Sequence, residues 1–232
     1  MLVIVANCQD EAAQRLAERW HNYGAGVLTP LDLSTGGWRH YLPFSAKSTA
    51  VVGGQRVATA EISGVLTRMP WVYEQELAQI VAADRAYVAS EMTAFLHAWL
   101  SGLHCPVINR STPNCLAGPN WRAEQWIRLG AGLGIPVRSH RRRSEDSGES
   151  IAVGEAGAEA IVVGDHAFGD VDPELQAWAR QLARAAGVDL LAVQFTGAEP
   201  GAKFLNASLW PSIASDDVAD AIFARLGGRS LC

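Results

Sequence analysis

The stretch AKFLNASLWPS, which spans Ala202–Ser212, contains the positions on which the assignment of the fold depends. It begins with a run typical of a strand, continues through the polar residues Asn206 and Ser208, and ends at Trp210 and its neighbours. The apolar run VDLLAVQF precedes it, and we expect the two runs to form paired strands. Because the stretch contains no carboxylate, the end of this strand offers a ligand only neutral oxygen atoms.

Predicted helices lie before and after these two strands in the sequence. DPELQAWARQLARAAG has the spacing of an amphipathic helix, with Asp172 as its N-cap. SDDVADAIFARLGG is expected to form the last helix, capped by Ser215. Further upstream, IAVGEAGAEAIVVGDHAFG is interpreted as two strands joined by a turn. This mixture of strands and helices predicts an α/β fold.

The chain begins with a strand, a helix and a second strand. MLVIVA is a short apolar run, and DEAAQRLAERWHNYG has apolar residues at helical spacing, with Asp10 suited to cap its start. AGVLTPLDL follows as a second strand-like run. This order opens many doubly wound α/β domains. The first turn, ANCQDE, lacks the glycines of a dinucleotide-binding loop.

The middle of the chain is predicted to contain short strands and one long helix. Short strands are expected between Gly36 and Arg68, and a helix is expected from Glu74 to Leu103. Residues at steps of three and four within that helix predict a stripe that packs in the core. The stripe consists of Tyr87, Val88, Glu91, Phe95, Trp99 and Leu103.

Four further segments are expected between this helix and the strands near the end of the chain. They are the strand CPVINRS, a helix that begins at Pro119 or Asn120, the strand IPVRS, and a basic and then acidic loop from Arg141 to Ser150. The run HRRRS begins at His140, at the start of this loop, and EDSGE follows it at once. We therefore interpret it as a solvated segment, with an anion or peptide-carboxylate contact as the alternative.

The composition is that of a soluble globular protein. The 232 residues are 49% hydrophobic and 19% charged, and the net charge of −5 argues against a nucleic-acid partner. No apolar run is long enough to span a membrane. The four cysteines form no CxxC pair and no signal peptide is recognisable, so we expect a reduced cytoplasmic protein. Lys47 and Lys203 are the only lysines, so a mechanism that needs lysine must use one of them.

Taken in order, these segments resemble the ATP-grasp superfamily, in particular RimK-like ligases and the graspetide-type ligases that modify ribosomally made peptides. The segments that carry the resemblance are GVLTRMPWVYEQE, EMTAFLHAWLSGLHCPVINRS, GPNWRAEQWIRLGAGLGIPVRS, AIVVGDHAFG, LARAAGVDLLAVQF and KFLNASLWP. Their order across nearly the whole chain is specific, whereas no single motif is. The resemblance implies an α/β fold with a Rossmann-like pre-ATP-grasp domain over residues 1–111. A truncated ATP-grasp-like domain that lacks the nucleotide-covering segment is implied for residues 112–232.

The chain departs from this family where Mg²⁺ and ATP would bind. The family's metal strand carries glutamate and asparagine as E-x-N, and the matching positions here are Asn206 and Ser208. The region that matches the family's two lysines, Pro136–Val162, contains no lysine and is too short for the missing strands and loop. Proteins usually hold Mg²⁺ with one or two carboxylates beside phosphate oxygens. We therefore predict no cofactor, no metal site, no catalytic residue and no ATP-driven ligation.

The resemblance and these departures together predict a non-catalytic protein of a ribosomal-peptide natural-product pathway. It would bind the precursor peptide and present it to a tailoring enzyme, and it also resembles the truncated proteins of crocagin-type pathways. Strand ends, and aromatics together with arginines, supply the candidate peptide-binding residues. They are Arg68, Trp71, Tyr73, Asn109, Arg110, Asn206 and Trp210. The alternative role of the tryptophans is core or lid packing, and that of Arg68 and Arg110 is an ion pair.

Two other functions stay open at this point. An active ATP-dependent carboxylate–amine ligase with a rearranged nucleotide site would use Lys203 on the last predicted strand. A purely architectural homodimer subunit would bury Trp-rich stripes at its interface. Two pairs of potentially reactive residues are interpreted as structural. His104 and Cys105 are adjacent on a predicted strand and point to opposite faces, and Asp165 with His166 lacks further metal ligands at a matching spacing.

Overall fold

The structure is a computed structural model that describes residues 1–41, 45, 47–138 and 157–227. The elements in chain order are β1 (Leu2–Val5), α1 (Glu11–Arg19), β2 (Ala25–Leu28), α2 (Pro30–Leu33), β3 (Thr49–Val52), β4 (Gln55–Ala58), β5 (Gly64–Thr67), α3 (Arg85–Ser101), β6 (Val107–Ile108), α4 (Ala123–Gly132), β7 (Ala158–Val163), β8 (His166–Phe168), α5 (Pro173–Ala186), β9 (Leu190–Phe195), β10 (Phe204–Ser208) and α6 (Asp216–Arg225). The HRRRS and EDSGE runs and the whole Arg141–Ser150 loop lie outside the described residues, as does much of Pro136–Val162.

The first sheet is parallel and has the strand order β2-β1-β5-β6. All four residues of β1 are buried, which explains why this central strand is a continuous apolar run. The predicted start of the chain, a strand, a helix and a second strand, is confirmed. Asp10 caps α1, because its Oδ1 accepts a hydrogen bond of 3.0 Å from the Ala13 N–H. Gly24 follows in the left-handed region with φ 69°.

The long helix predicted from Glu74 is shorter than expected. Glu74–Glu76 form one 3-10 turn, and α3 begins only at Arg85. The predicted stripe is also displaced around the helix. Trp99 is buried, whereas Tyr87 is 69% exposed and Glu91 is exposed. The buried positions of α3 are Ala89, Leu96, Trp99 and Leu100.

Three other predicted elements differ in detail. The end of AGVLTPLDL forms the short helix α2, because Pro30 is suited to the first turn and Asp32 accepts from the Thr29 N–H at 2.8 Å. A 3-10 turn at Thr59–Glu61 divides the last of the predicted short strands into β4 and β5. The helix expected from Pro119 or Asn120 starts at Ala123.

The last helix, α6, packs against the end of α1, and the residue that follows it approaches β5. Phe223 lies against Trp20 and Tyr23, with ring centroids 5.6 and 4.7 Å apart. Asp220 forms an ion pair of 2.8 Å with Arg19. The backbone of Leu226 also approaches β5 closely: a Cβ added to Gly64 would lie 2.6 Å from its carbonyl oxygen. These contacts explain why β5 begins with glycine.

The second sheet is antiparallel and has the strand order β10-β9-β7-β8. The predicted pairing of VDLLAVQF with KFLNAS is confirmed, with a register shift between Phe204 and Asn206. One face of this sheet packs against α4 and α5 through Trp126, Phe195 and Phe204, which are almost fully buried. The predicted IPVRS strand is reduced to a single bridge between Val137 and Phe204.

The chain divides into two compact units. One consists of Met1–Asn120 together with the chain from Ala219 onward, and the other is Trp121–Val218. The predicted domains, residues 1–111 and 112–232, stay a prediction. None of the helices within the described residues is long and apolar enough to cross a membrane.

Candidate functional site

The loop that follows β5 displays two aromatic side chains on the first unit. Val72 is 3% exposed, and its N–H donates a hydrogen bond of 3.0 Å to the Thr93 hydroxyl of α3. The Leu116 N–H donates to the Pro70 carbonyl oxygen at 2.8 Å. With Val72 turned inward, its neighbours Trp71 and Tyr73 lie on the outer side, and Trp71 is 40% exposed. The loop is therefore fixed to the body of the unit while it presents an aromatic pair.

A cavity of about 600 Å³ lies between this loop and α3, and we call it the Trp71 groove. We call the following lining residues its walls: Pro70, Trp71, Val72, Tyr73 and Pro113. Its floor, formed by α3, consists of Ala86, Ala89, Ser90, Thr93, Ala94 and His97. Its rim consists of Glu74, Gln75 and Asn114. The floor residues recur at helical spacing on one side of α3, and most are small. An occupant can therefore approach the helix closely while it contacts the aromatic walls.

Burial shifts the pKa values of three side chains in or next to the groove. It lowers the pKa of His97 below the ordinary value of an imidazole, so this floor residue is neutral at pH 7. The pKa of Tyr73 is raised by burial, then by Glu76 and then by Cys115. Burial also raises the pKa of the Glu76 carboxyl, although a hydrogen bond of 3.2 Å from the Cys8 N–H opposes this.

The lowered pKa of His97 predicts a loss of stability in mild acid. As pH falls below about 6.5 the unfolded chain binds the proton more readily than the folded one, so the free energy of unfolding decreases until the folded pKa is passed. In His97→Gln this component is expected to disappear. Urea unfolding at a series of pH values from 7.5 to 5 measures it. A variant that kept the wild-type dependence on pH would contradict the prediction.

Three other predicted residues lie at the carboxyl end of the first sheet. Arg68 follows β5, and its Nε donates to Asp10 Oδ2 at 2.7 Å with both side chains 11% exposed. Asn109 follows the neighbouring β6 and is 2% exposed, and its carbonyl oxygen accepts from the Thr67 hydroxyl at 2.9 Å. Arg110 is exposed next to it. The structure thus brings these residues to one edge of the sheet, outside the lining of the Trp71 groove.

The last two predicted residues, Asn206 and Trp210, belong to the second unit. Asn206 lies opposite Gln194 in the ladder, and its Oδ1 is buried without a hydrogen-bond partner. Trp210 is 36% exposed, and its backbone N–H donates to the Ser208 hydroxyl at 3.2 Å.

A carboxylate that the sequence interpretation missed lies in the same cross-strand row as Asn206 in the second sheet. Glu159 on β7 is paired with Gln194 on β9, which is paired with Asn206 on β10, so the three side chains share one face. The sequence signal that could have revealed Glu159 is the pairing register of the two strand-like runs AEAIVV and LLAVQF. Two strand spacings place the backbone of Glu159 about 10 Å from that of Asn206.

This row does not match the needs of a magnesium–nucleotide site. Gln194, Asn206 and Ser208 offer neutral oxygens, and the single carboxylate, Glu159, lies two strands from Asn206. Mg²⁺ bound with a triphosphate needs carboxylate ligands and cationic groups around it. No group of three or more His, Cys, Asp or Glu side chains that could hold a metal occurs in the part of the chain described here.

The sequence matches no protein-family model and no curated protein, but the fold matches solved ATP-grasp ligases. The ligase PsnB, in a complex with a phosphomimetic variant of a minimal precursor, Mg and ADP, has a TM-score of 0.67 and 15% identity over 97% of both chains. The macrocyclase MdnC of Microcystis aeruginosa MRC, bound with its precursor peptide MdnA, has a TM-score of 0.67 and 11% identity over 98% of this chain and 99% of that one. A RiPP-associated ligase of Chryseobacterium gregarium, in complex with ADP and a leader and core peptide, has a TM-score of 0.66 and 10% identity over 97% and 96%.

These similarities show that the chain has an ATP-grasp-like α/β fold, as the order of its segments predicts. The expected loss of the nucleotide-covering segment stays a prediction.

Proposed function

We propose that this ATP-grasp-like chain is a non-catalytic peptide-binding protein of a RiPP pathway. It holds the precursor peptide in the cytoplasm and presents it to a tailoring enzyme. The Trp71 groove is the observation that carries this proposal, since it combines exposed aromatics with a floor of small side chains. The solved complexes of ATP-grasp ligases with precursor peptides support it by analogy of fold.

The dimensions and lining of the groove suit an extended peptide. A volume of about 600 Å³ lies within the usual range of ligand sites. Exposed tryptophan and tyrosine are the side chains that most often anchor a peptide or protein partner. The Ser90 hydroxyl, which donates to the Ala86 carbonyl oxygen at 3.0 Å and can still accept, and the Asn114 amide add polar groups that can pair with peptide backbone.

The second sheet supports a role without ATP chemistry. On the resemblance of β10 to the family's metal strand, the Glu159–Gln194–Asn206 row would offer one carboxylate and neutral amides where a nucleotide needs cations and a metal. Lys203, the lysine that a rearranged ligase would use, is exposed at the end of the β9–β10 hairpin. Its backbone N–H donates to the Thr196 hydroxyl at 2.9 Å, which fixes the hairpin end but leaves the ammonium to solvent.

Thermal melting of the full chain with peptides and with nucleotide separates the two functions. We expect precursor peptides encoded near this gene to raise the melting temperature, because a ligand that binds only the folded state stabilises it. ATP with Mg²⁺ is expected to leave it unchanged. Protection by magnesium and ATP that disappears in Lys203→Ala would favour the ligase instead. Absence of binding to every such peptide in titration calorimetry would overturn the proposal.

A further inference from the structure

The rim of the Trp71 groove carries a carboxylate, that of Glu74. Glu74 is exposed on the rim, where its Oε1 accepts a hydrogen bond of 3.4 Å from Gln75 Nε2. No lysine or arginine lines the groove among the residues that the structure describes. Glu76, two residues after Glu74, is half-buried. A cationic occupant therefore meets the carboxylate of Glu74 as it enters.

The aromatic walls form a corner that suits a cation. The rings of Trp71 and Tyr73 have centroids 5.7 Å apart and planes inclined at 60°. A guanidinium or ammonium group within about 6 Å of such a face is attracted by the ring quadrupole. Glu74 directly follows Tyr73 in the chain, so the carboxylate and the corner belong to the same short loop.

We infer that the Trp71 groove selects a peptide segment with a basic side chain. An arginine or lysine of the extended peptide enters the corner of Trp71 and Tyr73, and Glu74 balances its charge at the rim. This inference rests on the proposed peptide-binding function and adds the chemistry of the residue that is recognised. Cation–π contact and an exposed ion pair together correspond to roughly tenfold in affinity.

Selection from a random dodecapeptide library displayed on phage tests the inference, because such a library does not presuppose which peptide binds. The bait is the full chain, and a Trp71→Ala bait removes peptides that bind elsewhere. We expect arginine or lysine to be enriched in the peptides that depend on Trp71. Fluorescence anisotropy then compares the best peptide with its copy in which citrulline replaces arginine, and the neutral copy is expected to bind about tenfold more weakly.

Two charge-removing variants identify the partner of the basic residue. Glu74→Gln is expected to weaken binding of the arginine peptide about threefold and to leave the citrulline peptide unchanged. Glu91→Gln removes an exposed carboxylate from α3 away from the floor of the groove and is expected to have no effect. Trp71-dependent peptides without basic residues would overturn this inference and leave the proposed function standing. If no peptide is selected and no encoded precursor binds, both fail.

Discussion

Replacing Trp71 with alanine is expected to weaken binding of the precursor peptide by about thirtyfold or more, the loss typical of a central aromatic anchor. The indole is 40% exposed and forms one wall of the groove, so its removal deletes contact area without opening the core. The melting temperature of the free protein should therefore change little. Titration calorimetry with the peptide that protects the wild-type chain measures the loss.

Two matched variants show whether this loss belongs to the groove. Tyr87→Ala removes an aromatic ring from the same region that is 69% exposed and does not line the groove. It is expected to bind like the wild type. Trp71→Phe keeps an aromatic face and is expected to retain most of the affinity. Equal losses in Trp71→Ala and Tyr87→Ala would indicate a diffuse hydrophobic surface and contradict a defined groove.

Local sequence signals were sufficient to predict most of the helices and strands. The buried strand β1 is apolar throughout because both of its faces are covered, and α1 and α5 carry their caps at Asp10 and Asp172. Such signals depend only on neighbouring residues, so they could be interpreted without tertiary contacts. The order of the segments then led to the ATP-grasp-like fold that the solved structures share.

The groove could be predicted only in part, because α3 has two faces with similar composition. Apolar residues occur nearly all round this helix, so the periodicity did not distinguish its core side from its groove side. Leu96 and Trp99 face the core, while Ala86 and Ala94 line the groove. Spacing also placed the start of the helix too early, at Glu74 instead of Arg85. The aromatic walls were predicted, and the small-residue floor was not.

Arg68 shows where sequence alone left two roles open. Its position after a strand suggested a peptide contact, with an ion pair as the alternative. The structure contains the ion pair: Nε donates to Asp10 Oδ2 at 2.7 Å, and Nη1 is buried without a hydrogen-bond partner. The partner could not be identified from the sequence, because Asp10 and Arg68 are far apart in the chain and meet only at the edge of the folded sheet.

Asp10→Ala is expected to lower the free energy of unfolding by about 3–4 kcal/mol, the largest stability effect that we predict outside the apolar core. The substitution removes two interactions at once. It deletes the N-cap of α1, where Oδ1 accepts from the Ala13 N–H at 3.0 Å. It also leaves the Arg68 guanidinium, 11% exposed, without its counter-charge. Urea unfolding at pH 7 measures the change.

Asp10→Asn separates the two contributions, because asparagine keeps the capping oxygen but not the charge. Its cost is expected to be smaller than that of Asp10→Ala by about 1 kcal/mol, the usual value of a cap. Glu11→Ala, the matched control, removes an exposed acid from the first turn of the same helix and should cost less than about 1 kcal/mol. If Asp10→Ala lowered the free energy of unfolding by as little as Glu11→Ala, Arg68 would not depend on Asp10 for its counter-charge. The guanidinium would then be available to contact a peptide, as its position after β5 first suggested.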